Sequence, residues 1–120
     1  MRGRVNRRLG RLTRAISELR VLLLDYEEDR WVQWCDRCLT ALDREDPDAP
    51  ALVLAAFGGM GSINDLELSP HRGLRSAIEI AMQSPERSDQ EVAANQRLVE
   101  LKAVVYDQAK AVQAIWPSES

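Results

Sequence analysis

The chain has 120 residues, 45% of them apolar and 29% charged, with a net charge of −3. Those proportions belong to one globular domain long enough to bury its own core, and they exclude a disordered tail. No apolar run approaches the ~20 residues a membrane helix needs, and two cysteines three residues apart do not make a disulfide scaffold, so a cytoplasmic protein with no membrane contact is expected.

The charge is unevenly spread. Residues 1–20 carry seven arginines against one acid, whereas residues 25–48 carry nine acids against three arginines. The Arg-rich start leads into an amphipathic stretch with no small-residue cleavage site after it, so no secretory signal peptide is expected, although it shares the Arg-rich, acid-poor bias of a mitochondrial presequence. Residues 1–15 are read as a partly mobile basic extension and 117–120 as a tail, on a single helical domain spanning 1–120.

Val5, Leu9, Leu12, Ile16, Leu19, Leu23 and Tyr26 recur in alternating steps of four and three, which predicts a helix with one apolar seam. A second seam, Trp31, Trp34/Cys35, Cys38/Leu39 and Leu42, runs to the breaker Asp43-Arg44-Glu45-Asp46-Pro47. Between them lies Asp25-Tyr26-Glu27-Glu28-Asp29, without Gly or Pro. A turn there gives an antiparallel hairpin; no turn gives one helix of about forty residues. The hairpin is preferred, because Glu27, Glu28 and Asp29 suit a helix N-terminus. It would also bring Arg4, Arg8 and Arg11 towards Asp43, Glu45 and Asp46.

A third helix is predicted over Asp48–Phe57, with Asp48 as N-cap and an apolar, buried body. Gly58-Gly59 should end it in a left-handed cap, and Ser62 should cap a short turn at Ile63-Asn64-Asp65. Ser69-Pro70 can open a short helix with Leu74, Ile78 and Ala81/Met82 inward, closed by Ser84-Pro85. Ser88 to Glu91 has capping-box spacing and leads into a long helix with Leu98, Leu101, Val105, Ala109, Val112 and Trp116 on one face, stopped by Pro117. The only candidate strand is Leu66 to Ser69. The fold class is therefore all-α: a bundle of four to five helices with an N-terminal hairpin and a long C-terminal helix.

Few residues offer chemistry. Trp34-Cys35-Asp36-Arg37-Cys38 has the spelling of a redox motif, but its cysteines fall inside a helix on the buried seam, where they serve as small hydrophobes. With His71, the only histidine, they make at most three zinc ligands where a structural site wants four. His71 lies in a predicted loop with no activated nucleophile near it. No catalytic residue, metal or cofactor is assigned. Arg4, Arg7, Arg8 and Arg11 could meet phosphates, yet no aromatic lies among them to stack on a base, and a nucleic-acid partner is disfavoured.

The least ordinary run is Gly58-Gly59-Met60-Gly61-Ser62-Ile63-Asn64-Asp65-Leu66. A phosphate loop would follow a strand and carry a Lys; this one follows a helix and has none. Gly58, Gly59, Gly61 and Ser62 read as a structural corner. Asn64 and Asp65 bond backbone groups of the loop, pair with Arg30, or face a partner.

Arg30-Trp31-x-x-Trp34, followed by Phe57 and that run, resembles a family of short bacterial proteins classed as a domain of unknown function. The family has an R-W-x-x-W-like helix and an aromatic-GGMGS-[FI]-NDL segment. The resemblance covers roughly residues 16–70; the stretch from His71 to Arg87 is longer than the family pattern. It implies a bacterial, cytoplasmic, mainly helical protein and no reaction. The expected function is a non-enzymatic protein-interaction module, of which an immunity- or inhibitor-type protein is one form. Its surface would combine Arg30, Asn64 and Asp65 with an acidic edge of Asp25, Glu28 and Asp29. A homodimer through the seams of helix 1 or residues 94–116 is a further expectation. The alternatives are a nucleic-acid-associated regulator using the N-terminal arginines, and a small hydrolase or redox protein using His71, Cys35 or Cys38.

Overall fold

The computed structural model describes the backbone of residues 2–58, 62–68 and 85–119. Four α-helices appear among them: α1 (Arg2–Asp25), α2 (Asp29–Asp43), α3 (Ala49–Ala55) and α4 (Pro85–Glu119), with a 3-10 turn at Ile63–Asp65. There is no strand among the described residues; Leu66 to Leu68 runs as irregular chain. The predicted helix between Ser69 and Ser84, and His71 within it, lie outside the described residues.

Both long seams do what their periodicity dictates. Leu9, Leu12, Ile16, Leu19 and Leu23 of α1 are buried against Trp31, Trp34, Cys35, Cys38 and Leu42 of α2 and against Leu98, Leu101, Val105, Ala109 and Val112 of α4. Fully burying one such aliphatic side chain is worth about 1.5–3 kcal/mol, so this three-way seam is the main source of stability. Because Leu9, Leu12 and Ala15 are packed, much of the predicted basic extension is part of the bundle. Within the chain these seams pack against one another.

α1 and α2 form the hairpin. The Glu28 N–H bonds Leu23 O (2.9 Å) and the Glu27 N–H bonds Leu24 O (3.1 Å), while Glu27 takes a φ of 56°. This is a Schellman ending with Glu where Gly is usual. The same device closes α2: Asp46 N–H bonds Ala41 O, Glu45 N–H bonds Leu42 O, and Glu45 has φ 54°. The hairpin's side-chain tie is Arg20–Asp36 at 2.6 Å, and Arg97 of α4 reaches Glu18 of α1 at 3.0 Å. Arg8 and Arg11 form no ion pair with Asp43, Glu45 or Asp46 among the described residues. The side chain of Arg4 lies outside them.

The shorter elements depart from expectation in instructive ways. Asp48 precedes α3 but makes no side-chain cap; Asp46 does the work, accepting the Asp48 N–H at 2.9 Å. α3 is not buried all round, since Leu52 is 37% exposed. Pro85 opens α4, as suits a residue with no N–H to offer. Pro117 does not stop α4, which continues to Glu119. At 35 residues it spans about 52 Å, close to the 55 Å long axis of the molecule. No described helix is long and apolar enough to cross a membrane.

Candidate binding cleft beside the glycine-rich loop

α2 places Arg30, Trp34 and Arg37 on one face, at the i, i+4, i+7 spacing of a helix. α3 lies beside it and contributes Leu52, Ala55 and Ala56, while the following loop contributes Gly58 and Ser62. Together with Trp31 these residues line a cleft of about 340 Å³. Its aromatic wall is ordered by edge contacts. The rings of Trp31 and Trp34 lie 5.8 Å apart at 83°, and Trp34 meets Phe57 at 6.5 Å and 71°. Phe57 continues to Tyr106 of α4 at 5.4 Å. The Arg30 guanidinium carbon stands 5.0 Å from the Trp31 ring centroid, within cation–π range.

The loop is held from both sides. Ile63 N–H bonds Ala56 O (2.8 Å), the Asn64 amide donates to Phe57 O (2.7 Å), and Lys102 of α4 donates to Ile63 O (3.2 Å). Burial lowers the Lys102 pKa from its ordinary value, against the opposing pull of Asp65 and Glu67. The corner is thus built by bonds to backbone carbonyls. Gly58 has no left-handed φ and open space where a Cβ would sit, so of the two glycines expected to supply the left-handed cap, Gly58 does not. Gly59 and Gly61 lie outside the described residues. Ser62 stands at the N-cap position of the 3-10 turn, but its hydroxyl makes no cap.

The expected binding residues do not form one surface. Arg30 lines the cleft. Asn64 spends its amide on the loop and lines a separate groove on the α4 side, about 610 Å³, with Leu66, Val92 and Val99. Asp65 is exposed near Lys102. Asp25 and Asp29 are exposed at the hairpin corner, but Glu28 between them is buried, 4% exposed, with its backbone carbonyl receiving the N–H groups of Trp31 and Val32. It therefore cannot belong to an exposed acidic edge. Arg7 and Arg11 are exposed and Arg8 is half-buried along α1. Arg37 and Leu52 were missed by sequence reasoning, although the seven-residue step from Arg30 to Arg37 was there to be read.

The cysteines are chemically quiet. Burial pushes the Cys35 thiol up to about 12, helped by Cys38 and Asp36 and opposed by Arg20. Burial does the same to Cys38, again to about 12, opposed by Arg37. A thiol so placed stays protonated near neutrality and is not an attacking thiolate there. Among the described residues no group of three or more His, Cys, Asp or Glu is placed to hold a metal.

Residues 25–76 match a domain of unknown function, DUF6966. The likeness to an uncharacterised family read from the sequence therefore holds. The described residues that line the cleft all fall within the DUF6966 match, whereas nearly all of α1 and all of α4 lie outside it. No curated protein and no solved structure matches the chain.

Proposed function

We propose that the chain is a non-enzymatic protein-interaction module of the bacterial cytoplasm whose recognition surface is the cleft between α2, α3 and the glycine-rich loop. One observation carries this reading. Arg30, Trp31 and Trp34 of the first motif and Gly58 and Ser62 of the second line one cleft, and its described lining falls inside the DUF6966 match. Structural needs alone do not require two cations, Arg30 and Arg37, beside a surface shared with Leu52. An immunity- or inhibitor-type role, in which a rigid module blocks a partner by complementarity, fits such a surface.

The test is an affinity pull-down from bacterial lysate, with and without nuclease, comparing the wild type with an Arg30→Ala/Arg37→Ala variant shown by circular dichroism to be folded. A protein that survives nuclease and is lost with the variant is the expected result. Loss of every partner on nuclease treatment would overturn the reading in favour of nucleic acid bound through Arg4, Arg7, Arg8 and Arg11.

A further inference from the structure

The cleft gathers hydrogen-bond donors, and one of them, in its wall, has no described acceptor. Trp34 is 5% exposed, and its Nε1–H is buried with no acceptor among the described residues. Ser62 is 8% exposed, and its hydroxyl does not cap the 3-10 turn that follows it. Arg30 lies over Trp31 but forms no ion pair among the described residues, and neither does Arg37. Among the described residues no acidic side chain lines the cleft. Its described polar side chains are two exposed guanidiniums, a hydroxyl that can donate or accept, and an indole whose N–H is enclosed in the wall. A buried donor without an acceptor is destabilising, and native proteins seldom leave one in place without a role for it.

We infer that the cleft is a carboxylate site, and that its occupant is an acidic side chain of a partner polypeptide. A carboxylate is acceptor-only and matches the guanidinium fork in two-point geometry. Trp31, Leu52 and Ala55 supply apolar surface for the methylenes that carry the carboxylate, a feature a free inorganic oxyanion would not use. The inference rests on the interaction-module reading and adds the chemistry of what is bound.

The test uses the intact chain labelled with ¹⁵N. It is titrated at fixed ionic strength with an end-blocked tetraglutamate peptide, a matched tetraglutamine peptide, and inorganic phosphate. The reporters are the Trp34 indole N–H resonance, assigned by its loss in Trp34→Phe, and the Ser62 amide. Tetraglutamate should move both saturably and tetraglutamine neither. Arg30→Ala/Arg37→Ala should weaken the response about tenfold or more, the loss of one or two charge-assisted contacts. Arg37→Gln alone should weaken it less, and Ser62→Ala a few-fold. No saturable shift at millimolar tetraglutamate overturns the inference, as does an undiminished response in the arginine variants. Phosphate binding as tightly as tetraglutamate would overturn the polypeptide occupant. A lysate partner that is lost with Leu52→Glu, in a protein that ignores tetraglutamate, would leave the interaction module standing and remove the carboxylate.

Discussion

Asn95 of α4 closes on the backbone of Leu68 with both ends of its amide: Oδ1 accepts the Leu68 N–H at 2.7 Å and Nδ2 donates to the Leu68 carbonyl at 2.9 Å. Nδ2 also reaches Glu91 O at 3.1 Å. A side chain here stands in for a neighbouring strand. It satisfies both polar groups of a residue only 1% exposed, at the point where the loop leaves the core. Asn95→Ala would leave buried backbone groups unpaired, and should cost about 2–4 kcal/mol in urea unfolding. Asn95→Asp retains an acceptor but no donor, so it should recover only part of that loss. A cost near zero for Asn95→Ala would mean that water replaces the amide freely.

The corner residues invert the usual sequence logic. Glu45 holds a left-handed φ that favours glycine, whereas Gly58 holds none. Glu45→Gly should therefore stabilise by about 0.5–1 kcal/mol, the left-handed strain relieved less the extra chain entropy of glycine. Gly58→Ala meets no atom within 4 Å and should be neutral or stabilising by up to about 1 kcal/mol. Thermal unfolding of both variants checks the pair.

The ion pair between α1 and α2 invites a smaller expectation. Arg20 and Asp36 approach to 2.6 Å, but their side chains remain 35% and 53% exposed. Screening by water should hold the coupling in a double-mutant cycle to about 0.5–1 kcal/mol at low ionic strength. It should shrink further in about 1 M salt, where the screening length is only a few ångströms. A coupling that ignores salt would show the pair to be better shielded than its exposure implies.

How far the sequence could be read depended on whether a feature repeats. The seams through Leu12, Ile16, Leu19 and Leu23 and through Leu98, Leu101 and Val105 were legible because a helix imposes their spacing over many turns. The hairpin was legible from charge placement, yet its mechanism was not, since Glu27 and Glu45 take a conformation that composition assigns to glycine. Capping was legible only as local chemistry. Asp46 rather than Asp48 serves α3, and Pro85 starts α4 three residues before the capping-box serine. Of the cleft, Arg30, Trp31, Trp34 and Ser62 stood out as motif letters. Leu52 became part of it only through the angle at which α3 meets α2, which no single-chain pattern encodes. Asn95 left no signal at all: its partner lies 27 residues away and presents only backbone.

The buried thiols tie stability to pH with a definite sign. Cys35 and Cys38 titrate near 9.0 when unfolded and near about 12 in the fold, mainly because burial disfavours the thiolate. Above pH 9.0 the unfolded chain therefore holds fewer protons than the folded one, and stability falls as pH rises, levelling off only beyond the folded values. Each thiol can contribute a slope of up to about 1.4 kcal/mol per pH unit within that window, and none below it. Tyr26 is also raised, by burial first and then by Glu91 and Asp25, and adds a loss of the same sign. A Cys35→Ala/Cys38→Ala variant keeps the tyrosine and removes the thiols, so the difference between the two proteins isolates them. The variant should be less stable near neutrality, because small cavities replace two buried sulfurs. Between about pH 9 and about pH 11 its stability should then fall less steeply than that of the wild type. Urea unfolding across that range measures both slopes, and equal slopes would show that the thiols are solvated in the folded chain.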